Sequence, residues 1–377
     1  MARKNKFSVV LTAVLAVVCL VLGAGTGFAA AAAYDALSFT SDVAPKAIVE
    51  GELQIHFLEL GNKYTGDCTY IKAGDVDVLI DAGSKTSSIT PISEYINQYV
   101  TDGKLEYVIV THAHQDHYAG FTQLDGSLFD LYEVGTIIDF GEQTNQTDKG
   151  DGSNMFSRYQ MELKDEIDAG AEYYSAAQCI AEEKSVFELG DSGVKMTILN
   201  SYYYTHEAES ENDYSVCTLF TYGDYKYLFT GDLEEDGEEK LIELNEGVLG
   251  KVDVYKAGHH GSKTSSSEEF LAVIQPEIVC VCCCAGSAEY TDTDDNKFPT
   301  QDFIDRVAIW TNRIYVTTMY PEECDTCNID TFQSMNGNIV VVTTAKGIDV
   351  ICGSGDDRVL KEWEWFKHHR EWPANGK

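Results

Sequence analysis

Seven consecutive residues, Thr111-His112-Ala113-His114-Gln115-Asp116-His117, place three imidazoles and a carboxylate directly after the apolar stretch LEYVIVT. Imidazole nitrogens and carboxylate oxygens are good ligands for zinc and similar divalent ions. On a nearly extended backbone His112 and His114 alternate and can point to one side. Asp116 and His117 follow where the chain turns into a helix, so they can serve a second ion beside the first. The chain holds only nine histidines in 377 residues, which makes this clustering hard to explain as chance packing. The chemistry such a cluster offers is hydrolysis. A bound divalent ion lowers the pKa of its water toward about 7, giving a metal-bound hydroxide, and a neighbouring ion stabilises charge building on a phosphoryl or acyl oxygen.

Three other segments end in the same residue types. Asp81 closes VDVLIDAG and can fix an imidazole tautomer; its structural alternative is a turn Asp before Gly83. Asp232 closes YLFTGD and can bridge two ions, or simply cap the helix read in EEDGEEKLIEL. His259 and His260 close VDVYKAGHH, followed by Gly261-Ser262, and can set one ring on a metal and the other beside a substrate. Each has an ordinary reading alone. Four strand ends delivering Asp or His argue for one composite site.

The elements that must position these residues follow from periodicity. LQIHFLEL, CTYIKAG and VDVLIDAG read as short strands with Gly and Asp punctuation. SITPISEYINQYVTDG has helical spacing, and residues 155–185 read as helix before the strand VKMTILN. VCTLFTYGDYKYLFTGD reads as a hairpin with a Gly-Asp turn. Then come a helix in SEEFLAVIQ, a buried strand in PEIVCVCCC, a helix near Gln301 to Trp310, the strand RIYVTT and a last hairpin, GNIVVVTTAKGIDVIC. Strands and helices recurring in two similar halves predict two mixed sheets packed face to face and flanked by helices.

In order from about Leu53 to Cys352, the stretches IHFLELGNKYTGDCTYI, VLIDAG, VTHAHQDHYAG, NDYSVCTLF, YLFTGD, KAGHHGSKTSS, NKFPT and RIYVTT resemble the metallo-β-lactamase superfamily. Within it they are similar to the extracellular hydrolase domain of ComEC-type DNA-uptake proteins. The resemblance implies an α/β, four-layer αββα sandwich over residues 50–352, with zinc, one or two ions, as cofactor and manganese as the alternative. It implies His112 and His114 on one metal, Asp116 and His117 on the other, Asp232 between them, His259 completing the second site and His260 close to the substrate. Asp81 would orient the cluster, and Asp116 would orient the nucleophile or accept its proton. His260 and the backbone near Ser262 would donate to the oxyanion or leaving group. Many superfamily members supply a third imidazole to the first metal where this chain has Asn212-Asp213-Tyr214-Ser215, a pattern the ComEC-like branch shares. His206, a few residues upstream, could compensate, but reads more readily as a surface histidine. The loop Gly61 to Asp67, longer than in that branch, borders the metal site in the family and points to a different substrate choice.

Arg3, Lys4 and Lys6, the apolar run from Phe7 to Ala24 and the small residues Ala29 to Ala33 have the layout of a secretory signal peptide over residues 1–33. An uncleaved membrane anchor is the rival. Cys19, preceded by two valines, lacks the setting of a lipoprotein signal. The reading is a secreted protein. Cys280 and Cys282 to Cys284 fit a buried strand that uses Cys as a small hydrophobe, and Cys324 and Cys327 a local disulfide. Residues 353–377, with three Trp, read as a tail that is a surface segment or a short helix packing on the body. Net charge is −35, and about −38 without the leader. That balance disfavours nucleic acid as substrate, since phosphate binders cluster Lys and Arg. It favours a small-molecule or cell-surface phosphodiester. The rivals are a nuclease acting on single-stranded DNA and a non-catalytic, metal-stabilised surface binding module.

Overall fold

Two eight-stranded mixed sheets form the body of the protein in a computed structural model that describes residues 53–321 and 331–377. The leader read in residues 1–33 and the Cys324/Cys327 pair lie outside the described residues. The first sheet runs β16-β15-β1-β2-β3-β4-β5-β6, with β1 Leu53–Phe57, β2 Thr69–Ala73, β3 Val76–Ile80, β4 Lys104–Ile109, β5 Glu133–Asp139, β6 Glu172–Ser175, β15 Ile339–Thr344 and β16 Gly347–Cys352. The second runs β14-β13-β12-β11-β10-β9-β8-β7, with β7 Val186–Glu188, β8 Val194–Ile198, β9 Thr218–Tyr222, β10 Tyr225–Phe229, β11 Val254–Lys256, β12 Ile278–Ala285, β13 Ile314–Met319 and β14 Gln333–Ser334.

The first sheet is antiparallel on one side and parallel on the other, and the second has a parallel centre with antiparallel pairs on both sides. Strands β3 to β6 pair in parallel, as do β10 to β13. Loops leaving the C-terminal ends of parallel strands emerge on one edge, where open α/β sheets gather their ligands. Asp81, His112 to His117, Asp232 and His259–His260 all sit in such loops.

Alternation along the strands builds two cores. On β12, Cys280 and Cys282 face the core between the sheets, while Val279, Val281 and Cys283 face the outer helices. Phe57 and Phe229 stack across the sheets with centroids 6.0 Å apart. Each such side chain, fully buried, contributes about 1.5–3 kcal/mol. The outer core lies under the helices Glu235–Leu244, Glu268–Ile274 and Gln301–Val307, and Leu360, Trp363, Trp365 and Phe366 of the C-terminal segment join it. Four cysteines of β12 are free, buried thiols, as are Cys68, Cys179, Cys217 and Cys352.

The hairpin of β9 and β10 turns at Gly223-Asp224, with Gly223 at φ +59 as a two-residue turn requires. One expected element is broken. Helix Met155–Ala169 stops at Gly170 in the left-handed conformation, β6 follows, and the Ser175–Gln178 capping box starts a new helix, Ala176–Ala181. The β-forming residues EYYS, paired in parallel with β5, override the helical pattern predicted across 155–185.

Candidate metal centre

Asp81 stands between the ends of β3 and β4, with its backbone N–H on the carbonyl of Ile109. Its carboxylate accepts from the Thr111 N–H and hydroxyl, both at 2.8 Å, and lies 2.7 Å from His117 Nδ1. That contact fixes the ring and turns His117 Nε2 toward Asp232 Oδ2, 3.1 Å away. His114 is the N-terminal cap residue of the short helix Gln115–Tyr118, so Asp116 and His117 fall in its single turn. The chain at Gly66-Asp67 docks on this turn, Asp67 N donating to the Asp116 carbonyl at 3.0 Å. A Cβ on Gly66 would sit 2.7 Å from that oxygen, so only glycine permits the approach.

The second half delivers Asp232 and the histidine pair. Ser215 Oγ accepts from Asp232 N at 3.0 Å and lies 3.4 Å from His112 Nδ1, tying the bridging position to the first half. His259 and His260 both have positive φ, +44 and +54, a conformation costly for residues with a Cβ. The twist aims His260 inward. Its Nδ1 lies 2.9 Å from the Cys282 carbonyl and 3.2 Å from Asp67 Oδ1. Its Nε2 lies 3.2 Å from Asp232 Oδ2 and 3.3 Å from Asp116 Oδ2.

The structure thus exchanges the expected positions of the two histidines. His260, not His259, joins His117 and Asp232 in the buried group, because two successive left-handed residues undo the simple alternation that the sequence suggests. His259 stays on the rim, its Nε2 3.9 Å from Asp232 and its Nδ1 near Thr264, Glu234 and Asn212. His112 and His114 sit beside the group, with Nε2 to Nδ1 at 3.1 Å and the His112 ring 4.2 Å from that of His117.

Two other residues stand apart from the group. Ser262 donates its N–H to the His259 carbonyl at 2.8 Å, and its hydroxyl lies 3.1 Å from that of Thr264 and accepts from Thr264 N. His206 stacks on Tyr202 at 3.8 Å, held by the Tyr202 carbonyl, and does not stand in for a third ligand. Two residues were not read from the sequence as part of the site. Asp67 belongs to the buried group with His117, Asp232 and His260, whose donor atoms all lie within 4.8 Å of one another. Lys256 is buried beneath it, paired with Asp67, 3.5 Å from Asp232 Oδ1 and donating to the Gly231 carbonyl. The signals were present: an acid two residues before β2 in Gly66-Asp67, and a lysine in the apolar strand that ends in the His pair.

Electrostatics and unmet bonding capacity agree. Burial alone would lower His117, but Asp232 and Asp81 outweigh it and push its pKa up to about 10. His260 is raised in the same way, against burial, by Asp232 and Asp67. Carboxylates therefore draw protons onto both rings, and a divalent cation would compete for the same lone pairs. His117 Nε2, His260 Nε2, Asp232 Oδ1 and Asp67 Oδ1 are buried without a hydrogen-bond partner. The close nitrogen–oxygen approaches are short in distance but not aligned as hydrogen bonds. Leaving such atoms unpaired is costly, and a shared cation would satisfy all of them. The donor set fits zinc or manganese by type.

A family model described as Metallo-beta-lactamase superfamily matches residues 61–129 and 205–285. The chain carries a metallo-beta-lactamase superfamily domain. The two matched blocks contain every buried Asp and His just described. Similarity also extends to competence proteins: 40% identity over 68 residues to ComE operon protein 3 of Bacillus subtilis (strain 168), covering 18% of this chain and 8% of that protein. Competence protein ComA of Neisseria gonorrhoeae is 26% identical over 296 residues, 78% of this chain and 35% of its own length. The chain therefore spans only a minor part of these relatives. Among solved structures, the metallo-beta-lactamase fold protein YhfI from Bacillus subtilis aligns with a TM-score of 0.40 at 12% identity, covering 72% of this chain and 98% of its own.

Proposed function

We propose that this chain is an exported metal-dependent hydrolase that cleaves phosphodiester bonds. The observation that carries the reading is the convergence on Asp232 Oδ2 of His117 Nε2 at 3.1 Å and His260 Nε2 at 3.2 Å, in a buried group completed by Asp67, with the half-buried Asp116 Oδ2 3.3 Å from His260 Nε2. His117, Asp232, His260 and Asp116 would hold one ion, and His112 with His114 a second next to it. When bound, the ions lower the pKa of water and neutralise charge building on a phosphoryl oxygen. Asp116 would orient the attacking water and accept its proton. His259, on the rim with Nδ1 held by Thr264, would turn Nε2 toward the leaving oxygen. The Phe298 ring, 5.9 Å from His260 and 5.7 Å from His259, would keep bulk water from the reacting atoms.

A net charge of −35 favours a small or cell-surface phosphodiester over a polyanion. The similarity to competence proteins favours a second reading, a nuclease acting on single-stranded DNA. Export rests on the basic, apolar and small-residue order of the first 33 residues, and no helix among the described residues is long and apolar enough to cross a membrane. The test is hydrolysis of bis(p-nitrophenyl) phosphate and of a single-stranded oligonucleotide by protein stripped with EDTA and restored with Zn²⁺ or Mn²⁺. Activity should vanish on stripping, return with the ion and be faster on the small diester. Undiminished activity after stripping overturns the mechanism, and preference for the oligonucleotide selects the nuclease.

A further inference from the structure

The segment 286–298 leaves β12 and returns beside the metal centre, and it is tied down at many points. Its ends close on each other, Gly286 N donating to the Phe298 carbonyl at 2.9 Å. Arg370, itself buried, donates to the carbonyls of Asp294, Lys297 and Pro299. Glu289 accepts from Thr65 N at 2.8 Å, directly before Gly66-Asp67, and pairs with Lys85 at 3.6 Å. Next to Glu289, Tyr290 donates its hydroxyl to Asp116 Oδ2 at 2.6 Å. Its residue surface is 55% exposed, so burial of a hydrophobic ring does not explain why it stands there. One segment therefore grips two of the stretches that carry acids into the centre, the Asp116 turn through Tyr290 and the Gly66-Asp67 stretch through Glu289.

We propose that Tyr290 is a positioning residue for the metal centre, holding Asp116 Oδ2 so that the carboxylate is aimed at the ion. This rests on the metal-centre reading above. Carboxylates that bind a metal are commonly oriented by a hydrogen bond to the oxygen facing away from it or shared with it, and loss of such a partner typically weakens metal affinity or activity about 10–100-fold. Tyr290→Phe removes only the hydroxyl and keeps the ring against Phe298, 5.9 Å away.

The experiment is chelator competition for Zn²⁺ and Mn²⁺ on the full chain, with thermal unfolding in EDTA as the check on the fold. Tyr290→Phe should bind each ion about 10–100-fold more weakly while its unfolding in EDTA stays that of the wild type. At saturating Mn²⁺ its KM for bis(p-nitrophenyl) phosphate should be unchanged. In an Asp116→Ala background, which removes both carboxylate oxygens, the same substitution should have no further effect, because Tyr290 acts through that carboxylate. Wild-type metal affinity retained in Tyr290→Phe overturns this proposal alone. Wild-type protein that takes up neither ion overturns the metal-centre reading and this proposal with it. If Tyr290→Phe alters unfolding in EDTA, Glu289→Gln, which loosens the same segment from its other side, should lower metal affinity in the same direction, and its failure to do so overturns the proposal.

Discussion

His56 and His117 are both fully buried, one on β1 of the first sheet and the other in the short helix that follows β4, and their surroundings push them in opposite directions. His56 sits on β1 among Tyr70, Tyr95 and Tyr99, with ring centroids 4.6 to 5.7 Å away and Nδ1 2.8 Å from the Tyr95 hydroxyl. Burial without a facing carboxylate pushes its pKa down to about 3. At His117, Asp232 and Asp81 overcome burial and raise the pKa to about 10. His56 Nε2 also lacks a hydrogen-bond partner. An orphaned imidazole nitrogen therefore does not mark a metal site; several donors converging with carboxylates among them do.

The comparison breaks most completely at Asp232. Asp232→Asn should lower Zn²⁺ affinity by more than about a hundredfold, beyond the loss typical of an outer hydrogen-bond partner, and take hydrolysis to background. Chelator competition and a diester assay measure the two losses. A variant that retains metal and turnover removes Asp232 from the centre. Lys256→Met comes next. It removes the ammonium of a buried ion pair and leaves Asp67 facing only the His260 ring at 3.2 Å, and breaking such a pair typically costs about 3–5 kcal/mol. Urea unfolding in EDTA should show that loss, and adding Asp67→Asn should restore most of it. Equal stability of Lys256→Met and the wild type would mean that the pair holds nothing together.

The sequence patterns carried the architecture further than the site. Apolar runs ending in Asp or His marked four of the strand ends that meet at the centre, because a buried strand and its polar exit leave a plain local signature. What escaped was set by distant contacts and by backbone twist. Asp67 and Lys256 pair across the two sheets, and neither neighbouring sequence contains the other's position. His259 and His260 look interchangeable until their positive φ values decide which one faces inward. The helix expected over 155–185 failed at Gly170, where a left-handed cap and a parallel partner strand outweighed local propensity.

The aromatic side of the comparison is sharpened by pH. The folded-state pKa of His56, about 3, lies below its ordinary 6.5, so its neutral form adds stability above pH 6.5. That contribution is lost as pH falls below 6.5, at about 1.4 kcal/mol per unit, or about 3 kcal/mol by pH 4. His56→Phe has nothing to protonate at this position. Urea melts of both proteins at pH 7 and pH 4 should show the wild type losing about 3 kcal/mol more than the variant. Parallel losses would mean that His56 is not held neutral.

The smallest expected effect isolates the carboxylate itself. Asp81 has φ +60, a conformation Asn tolerates well, so Asp81→Asn changes charge and acceptors with little change in backbone. The amide oxygen can still accept from Thr111 N, but the amide nitrogen cannot accept from the Thr111 hydroxyl or from His117 Nδ1. His117 then loses both its fixed tautomer and one of the two carboxylates that set it apart from His56. Metal affinity should fall about 10–100-fold, by chelator competition, with the ring still in place. Affinity equal to the wild type would show that Asp232 alone makes the difference between the two buried histidines.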